Sequence, residues 1–437
     1  MKSRILMCIT AMTIFAALAA SVRLAAQEQK QDPPRYTVID LGTLDGGTYS
    51  LAGGINNNGL VEGYSTLFNG DTHPYLWRNP FPFPWEGVMT DLGTLGGPNA
   101  WAGWVPSESG EAGGASETTT PDPNGEDYCG FGTYLECHPF LWRYGVMIPM
   151  PMLSGNNGEV DGVSKFGQGG GVENTTKDTT CVKHEGYYQV KAVLWENGKI
   201  HELPLPASDS DPRSYALAIN DNGQMAGSSG NCTTYDNHAL FWQDSTKVTD
   251  LGSLGGKLHN AAYDINNQGQ VSGYSDLSGD KTYPTSSGPV YTCHAFLWEK
   301  GVMHDLGTLP GDVGSSGDGI NNKGQVVGGS WDKEYNDRAI LWQNGVMTDL
   351  NTLIPPDSPL YLIEADGTIN DQGQIAGVAL VTRGEQSGEV HAFLATPTTE
   401  LRPLSESQKV VLPDNVRKLL QQRPRFRRPG GGFMGPQ

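Results

Sequence analysis

Short apolar runs alternate with turn residues along almost the whole chain, from residue 36 to residue 395. The runs are rich in Val, Ile, Leu and aromatic residues, and Asn, Asp and Gly lie between them. Runs of this kind, bounded by such turn residues, are typical of β-strands joined by tight hairpins. The pattern therefore predicts an all-β protein.

Three of the runs recur in a fixed order and define a repeated unit. The first reads Val-Met-x-Asp-Leu-Gly-x-Leu, as at Val88–Leu95. The second reads Ile-Asn-x-x-Gly-x-Val-x-Gly, as at Ile320–Gly328, and the third reads His-Ala-Phe-Leu-Trp, as at His294–Trp298. Each occurs seven times when degraded copies are included. Such recurrence is typical of propeller blades or kelch-like units.

Each unit predicts four strands. The Asn-x-x-Gly segment favours a hairpin turn between strands one and two, because Asn and Gly tolerate the positive φ that such turns need. The Trp-x-x-Gly segment, as at Trp342–Gly345, favours a second hairpin between strands three and four. Four antiparallel strands joined in this way make one blade of a propeller.

The two ends of the repeat region are complementary. The region opens with strand four alone, Tyr36–Leu41, and closes with strand three alone, His391–Ala395. Pairing these ends would complete a seventh sheet and remove a free sheet edge. An open solenoid would instead need capping ends, and the sequence shows none. We predict a seven-bladed β-propeller of four-stranded antiparallel blades, closed by pairing of the N-terminal strand with the C-terminal blade.

The motifs as a set resemble those of the HAF repeat family of extracellular bacterial repeat proteins. The segments that carry the resemblance are His-Ala-Phe-Leu-Trp, Asp-Leu-Gly-Thr-Leu-Gly-Gly and Ile-Asn-x-x-Gly-Gln-Val-Val-Gly, and it covers residues 36–395. It implies export and a kelch-like repeat fold, but no activity or ligand. Pro106–Gly110 and Val163–Gly167 depart from the Ile-Asn-x-x-Gly turn, so we expect longer or distorted inner hairpins in blades two and three.

The first 26 residues have the pattern of an export signal. Lys2 and Arg4 precede the apolar run Ile5–Ala20, and small residues follow up to Ala26. A retained N-terminal anchor is the alternative. No later run is long enough to span a bilayer, so we expect no membrane span in the mature chain and a secreted location, extracellular or periplasmic. The predicted organisation is a signal peptide (1–26), a linker (27–35), the propeller (36–395) and a tail (396–437).

Charge separates the tail from the rest of the chain. The protein has 48 acidic and 29 basic residues and a formal net charge of −19. The chain outside the tail carries this negative charge, which argues against nucleic acid and anionic membranes as partners. The tail is basic and rich in Pro and Gly, which predicts that it is largely disordered, with a short helix at Asp414–Gln422. We expect a monomer.

Cysteine usage agrees with export. Five cysteines follow the signal, namely Cys129, Cys137, Cys181, Cys232 and Cys293. Cys129 and Cys137 flank an insertion and favour a local disulfide; a pair between Cys181 and Cys232 would leave Cys293 outside both bridges. A zinc site is the weaker interpretation, because no two of them have C-x-x-C spacing.

The predicted connections divide the propeller into two faces. The turns between strands one and two, and between strands three and four, are short, so one face should be compact. The connections between strands two and three vary in length and share the other face. Loops on a rigid scaffold commonly carry function. We therefore place the candidate site on the face with Glu117–Cys137, Gly171–Gln189 and Asp276–Cys293; the alternative is that these are tolerated insertions without a ligand.

Repeated aromatic and histidine residues are best explained by structure. The histidines of the third motif (His73, His138, His238, His294 and His391) occupy equivalent positions, which lie far apart in a ring, so we expect each to hydrogen-bond the backbone of a neighbouring turn or strand. The tryptophans of that motif are expected to pack between sheets. Trp101, Trp104 and Trp331 fall outside the register and are the candidate ligand-stacking residues, with packing as the alternative.

No catalytic or cofactor motif is recognisable, and we predict no cofactor. The closely spaced oxygen ligands of Asp122–Asp127 and Asp276–Asp280 are the two candidate calcium sites, but neither segment matches the twelve-residue loop pattern, and solvated acidic loops are the alternative. We predict an exported binding or interaction module that presents variable loops to a glycan or protein. The alternative is an extracellular carbohydrate-active hydrolase or lyase, for which fold analogy is the only argument; a purely structural surface protein is the third interpretation.

Overall fold

The computed structural model describes residues 34–79, 87–102, 105–177, 188–206, 213–230, 237–279, 281–285, 288–400 and 410–421. They form seven four-stranded antiparallel sheets arranged as a β-propeller. The predicted fold class is confirmed. None of the helices in these residues has the length and apolarity needed to cross a bilayer.

Six blades are built from strands in chain order. Blade 1 contains β2 (Ser50–Ile55), β3 (Val61–Thr66), β4 (Thr72–Arg78) and β5 (Val88–Asp91); blade 2 contains β6 (Ala100–Ala102), β7 (Ala112–Pro121), β8 (Leu135–Arg143) and β9 (Val146–Pro149); blade 3 contains β10 (Gly158–Val163), β11 (Gly169–Lys177), β12 (Tyr188–Glu196) and β13 (Lys199–Glu202). Blade 4 contains β14 (Ser214–Ile219), β15 (Met225–Gly230), β16 (Asn237–Asp244) and β17 (Lys247–Asp250); blade 5 contains β18 (Gly255–Ile265), β19 (Val271–Leu277), β22 (His294–Glu299) and β23 (Val302–Gly307), with an added hairpin of β20 (Thr282–Thr285) and β21 (Gly288–Tyr291); blade 6 contains β24 (Gly314–Ile320), β25 (Val326–Trp331), β26 (Asp337–Gln343) and β27 (Val346–Asp349).

Blade 7 is made from both ends of the repeat region. It contains β28 (Leu360–Glu364), β29 (Ile375–Val381) and β30 (Val390–Thr398), and its fourth strand is β1 (Arg35–Gly42). Strand β1 runs antiparallel to β30, from the pair Arg35–Thr398 to the pair Gly42–Ala392. The predicted closure is confirmed.

Burial falls from the axis to the rim of the disc. The first strands lie around a central channel, and all six residues of β2 are buried. The fourth strands are at the rim, and β5 is exposed or half-buried along its length. Glycine is required where the paired strands of a blade are irregular: a Cβ added at Gly63 of β3 would meet the carbonyl oxygen of Leu51, in β2 of the same sheet, at 2.0 Å.

The repeated tryptophans pack between blades, as predicted. The indole N–H of Trp195 in blade 3 donates to the carbonyl oxygen of Pro151, which follows blade 2 (2.7 Å). Trp242 in blade 4 makes the same bond to Pro204 after blade 3 (2.7 Å). Each indole therefore fills the seam between two sheets and fixes the segment that links them.

Two expectations about the hairpins were wrong, the first of them for blade 3 only. The inner hairpin of blade 3 is regular, because the hydroxyl of Ser164 accepts the turn N–H that an asparagine side chain accepts elsewhere. In blade 2 the turn at Ser107 is closed in the same way, but β6 ends at Ala102 and β7 begins only at Ala112, so this connection is longer, as expected. The turns between strands three and four are not uniformly short: in blade 1, β4 ends at Arg78 and β5 begins at Val88.

Two short helices complete the fold. A 3₁₀ helix, Leu350–Thr352, links blades 6 and 7, and helix α1, Asp414–Gln421, lies in the tail as predicted. We use two names below. The turn face carries the turns between strands one and two, such as Asn321–Gly324; the loop face carries the connections between strands two and three, such as Asp122–Tyr134.

Candidate functional site

The predicted stacking residues lie in the core where the structure describes them. Trp101 is 1% exposed and belongs to an apolar cluster of blades 1, 2 and 7. Trp331 is also 1% exposed and stacks on Tyr335, with ring centroids 5.9 Å apart. Trp104 lies outside the described residues. The burial of both rings supports the packing alternative and leaves ligand binding by these residues an untested prediction.

The blade 2 connection on the loop face is a fixed structure. Cys129 and Cys137 form a disulfide, as predicted, with Cα atoms 5.9 Å apart. The Asn157 amide, at the start of blade 3, donates to Asp122 (2.8 Å) and to Glu126 (3.1 Å). A covalent bond and a cross-blade hydrogen-bond network therefore hold this loop in one conformation. The other predicted pair, Cys181 and Cys232, lies outside the described residues, and Cys293 is buried.

The two calcium candidates are hydrogen-bonded within the protein. One oxygen of Asp122 accepts the backbone N–H groups of Asn124 (2.7 Å) and Glu126 (3.1 Å), the arrangement of an Asx turn. Asp276 accepts the N–H of His259 (2.8 Å), and Asp280 lies outside the described residues. In the described part of the chain, no group of three His, Cys, Asp or Glu side chains is placed to hold a metal ion.

Buried carboxylates in two of the second strands hold the links between blades. Glu117 accepts the backbone and side-chain N–H groups of Asn99 (3.1 and 2.8 Å), and Glu173 accepts the N–H of Leu153 (2.7 Å). Burial raises the pKa of both carboxyls, against these hydrogen bonds. Their oxygens face their own backbone, so their position indicates a structural role.

The C-terminal segment covers the inner part of the loop face over several blades. Leu412, Val416 and Leu420 are buried in the apolar cluster of blades 1, 2 and 7. The N–H of Leu412 donates to the Asn336 side chain of blade 6 (3.0 Å), and the Arg417 guanidinium donates to the Glu334 carbonyl. The helix predicted at Asp414–Gln422 is therefore docked on the blades, because Leu412, Val416 and Leu420 form one apolar stripe at helical spacing. Residues 401–409 and 422–437 of the tail lie outside the described residues, so the predicted disorder there stays a prediction.

The repeated histidines make a side-chain contact that sequence reasoning missed. Each of four histidines lies 2.8–2.9 Å from the aspartate of the Asp-Leu-Gly motif in the fourth strand of the same blade. The pairs are His73–Asp91, His238–Asp250, His294–Asp305 and His391–Asp40. Blade 3 has Lys191–Glu202 at the same positions and blade 6 has Arg338–Asp349. The expected backbone partner is present for His73, which also hydrogen-bonds the backbone of Pro98 in the link to blade 2. The carboxylate partner was not expected, and it explains why the third and first motifs recur together.

The aspartate of each pair also fixes the turn that follows it. Asp91 accepts the N–H of Gly93 (2.7 Å), and Asp305 accepts that of Gly307 (2.8 Å). Both glycines have φ near +75°, a conformation that other residues rarely adopt. The Asp-Leu-Gly motif thus joins a strand pair to the start of the next blade.

The pair that closes the ring predicts a pH-dependent stability. Burial lowers the pKa of His391, but hydrogen bonds and charge from Asp40 and Glu389 outweigh it, so that the pKa is raised. A raised folded-state pKa contributes stability below the unfolded value of about 6.5, and that stability is lost as pH rises through the folded pKa. His391→Gln should therefore lower the melting temperature more at pH of about 5.5 than at about 9.

The comparison needs the wild type at each pH as its control, because other groups titrate over the same range. Hydrogen bonding to His238 lowers the pKa of Asp250, so pairs of this kind also weaken as pH falls below about 4. An equal difference between wild type and variant at both pH values would contradict the ion-pair interpretation.

A ring of asparagines surrounds the channel on the turn face. Each side-chain amide donates to the carbonyl oxygen of the equivalent residue in the next blade, at 2.8–3.0 Å. The donors in order are Asn220, Asn266, Asn321, Asn370 and Asn56. The channel mouth encloses about 120 Å³, which is room for a few waters and too small for an ordinary ligand site. The role of this ring is structural, because its hydrogen bonds join neighbouring blades around the channel.

Comparison with known proteins shows no family. No family model matches the chain, and no curated protein matches it. Among solved structures, the β-propeller domain of the Trilobed protease from Pyrococcus furiosus has a TM-score of 0.43 and 9% identity, covering 84% of this chain and 98% of that one.

Two further structures are similar at the same level. A puromycin-hydrolyzing peptidase of Mycobacterium tuberculosis has a TM-score of 0.42 and 9% identity, and the match covers 79% of this chain and 53% of that one. A fungal alcohol oxidase in complex with copper has a TM-score of 0.43 and 10% identity, covering 83% and 76%. At these values the similarities carry no argument about activity. The protein is a seven-bladed β-propeller whose function must be inferred from its own surfaces.

Proposed function

We propose that the protein is an exported binding module that presents the connections of its loop face to a glycan or an extracellular protein. The observation that carries the proposal is the blade 2 connection, which is held by the Cys129–Cys137 disulfide and the Asn157 amide and yet leaves Tyr134 exposed. A loop fixed before binding loses less conformational entropy when a ligand binds.

Two aromatic side chains on neighbouring blades support this choice of face. Phe68, at the tip of the blade 1 connection, is 88% exposed, and Tyr134 is 55% exposed. Tyr134 also has φ of 57°, in the left-handed region that costs a tyrosine about 1–2 kcal/mol. Exposed aromatics on ordered loops favour a partner, because such residues dominate the energetics of interfaces.

Export is supported by the sequence pattern of the first 26 residues and agrees with the disulfide, since disulfides persist mainly in oxidising compartments. The net charge of −19 disfavours nucleic acid as the ligand. The free sheet edges at the rim are short strands such as β5, which is consistent with a monomer.

The alternative of a carbohydrate-active hydrolase or lyase has no specific support. Glycoside hydrolysis commonly uses a carboxylic acid with a raised pKa that faces the substrate. Glu117 and Glu173 have raised pKa values, but their oxygens accept backbone N–H groups at the links between blades. We therefore place no catalytic step on them.

The proposal predicts that the double variant Phe68→Ser/Tyr134→Asn binds its ligand at least about tenfold more weakly than the wild type. Asparagine accepts the left-handed conformation of position 134, so the variant should fold. Ligands would be found on a glycan array and in pull-downs of extracellular proteins, and affinities measured by calorimetry with purified components.

The matched control is Phe166→Asn, which removes an exposed aromatic from the turn face and should leave affinity unchanged. Finding no saturable ligand, or equal affinities for the wild type and the double variant, would contradict the proposal.

A further inference from the structure

A groove on the turn face lies outside the surface proposed above. It encloses about 780 Å³ between blades 7, 1 and 2. Its wall includes Asn58 from the inner hairpin of blade 1, Ser109 from that of blade 2 and Gln374 from that of blade 7. Sites for small ligands in proteins commonly enclose about 300–1,000 Å³. The groove therefore has the size of a binding site, on the face that the sequence predicted to be compact.

Tyr144 at the edge of this groove occupies a turn position that disfavours it. It has φ of 52° at the tip of the hairpin between β8 and β9, and its side chain is 89% exposed. The corresponding positions hold Asn197 in blade 3 (φ 52°) and Asn344 in blade 6 (φ 51°), which suit the left-handed region, and Lys300 in blade 5 (φ 51°). Neither turn geometry nor burial explains a tyrosine here, so its exposed ring is the feature that needs a function.

Polar side chains beside Tyr144 are held in place by the seam between blades 1 and 2. The Asn58 amide donates to the carbonyl oxygen of Glu108 (2.9 Å), and the backbone N–H of Asn57 donates to one carboxylate oxygen of Glu108 (3.1 Å). Arg78, at the end of β4, is exposed on the same wall. An amide, a carboxylate and a guanidinium therefore line the groove, two of them held by hydrogen bonds.

The chemistry of the wall selects the class of ligand. Arg78 and Glu108 are the charged residues in the described wall, and their charges are opposite, so the groove favours neither anions nor cations. Tyr144 and the half-buried Trp142 supply aromatic faces, and planar polar groups lie around them. A sugar ring has the matching surface, with apolar C–H faces and hydroxyl groups at its edge.

We propose that the groove between blades 7, 1 and 2 is a saccharide site for a neutral oligosaccharide. Tyr144 stacks on one sugar ring, and Arg78, Asn58 and Glu108 hydrogen-bond its hydroxyl groups. This site is separate from the loop face, so the chain has two binding surfaces on opposite sides of the disc.

The test is calorimetric titration of the purified full chain with neutral tetrasaccharides of glucose, xylose and mannose, in β-1,3 and β-1,4 linkages. At least one should bind saturably, and Tyr144→Asn should weaken it by at least about tenfold. The melting temperature of that variant should stay equal or rise, because asparagine is the residue of the same turn in blades 3 and 6. Arg78→Ala should also weaken binding.

The matched control is again Phe166→Asn, an exposed aromatic of the turn face outside the groove wall, whose turn position is occupied by Asn58 in blade 1 and Asn222 in blade 4. It should bind the saccharide normally, and so should the loop-face double variant, which separates this proposal from the previous one. Absence of binding across the panel, or unchanged affinity in Tyr144→Asn, would overturn the assignment.

Discussion

Replacing Arg338 by alanine should lower the free energy of unfolding by about 3–5 kcal/mol. Arg338 lies 2.7 Å from Asp312 and 3.2 Å from Asp349, and all three side chains are almost fully buried. The substitution leaves two carboxylates in the interior without the cation that compensates them, which costs far more than the loss of an exposed ion pair. Chemical denaturation of the wild type and the variant measures the difference.

The equivalent pair of blade 3 is the matched control. Lys191 lies 2.9 Å from Glu202, whose side chain is 49% exposed. Water compensates that carboxylate when the lysine is removed, so Lys191→Ala should cost within about 1 kcal/mol. Equal effects of Arg338→Ala and Lys191→Ala would show that burial does not set the strength of these pairs.

Removing the closing strand should have the second large effect. Tyr36 of β1 is buried against blades 6 and 7, and its backbone N–H donates to the carbonyl oxygen of Leu353 (2.9 Å). Tyr36→Ala should cost about 3–5 kcal/mol, the usual range for truncating a large buried aromatic. A chain that begins at Thr43 should lose cooperative unfolding and aggregate, because the buried, apolar strand β30 replaces β1 as the exposed edge of blade 7.

Two controls isolate the contribution of the strand. Thr37→Ala changes an exposed neighbour on the same strand and should have little effect. A chain that begins at Pro34 retains β1 and should melt like the full chain. Identical melting and elution of the chains that begin at Pro34 and at Thr43 would refute the role of the closing strand.

The blades were predictable because each motif appears seven times, so errors in one copy are corrected by the others. Closure was predictable because the repeat region opens with an extra fourth strand, Tyr36–Leu41, and its last unit ends at the third strand, His391–Ala395. The extra strand supplies the one that the last unit lacks. The partner of the histidines could have been found in the same way. Where arginine replaces the histidine at position 338, or lysine at 191, a carboxylate still stands in the fourth strand, as an ion pair requires.

The burial of individual side chains and the contacts between neighbouring blades were less predictable. Trp101 and Trp331 were selected because they fall outside the repeat register, but register does not reveal which side of an inner strand faces a neighbouring blade. The groove beside Tyr144 depends on three blades at once, so no single motif encodes it. The docked tail had a signal, the spacing of Leu412, Val416 and Leu420, which the basic composition around it obscured.

The shared seventh blade also sets an order of events during biosynthesis. A ribosome releases the amino end first, so β1 is made long before its partner: Thr37 bonds to Thr396, 359 positions later. Until then β1 is a lone strand and the disc is incomplete. In a chain that terminates before β30, strand β1 has no partner and β29 is an exposed edge strand. Such a product is expected to aggregate, or to be bound by chaperones and proteases.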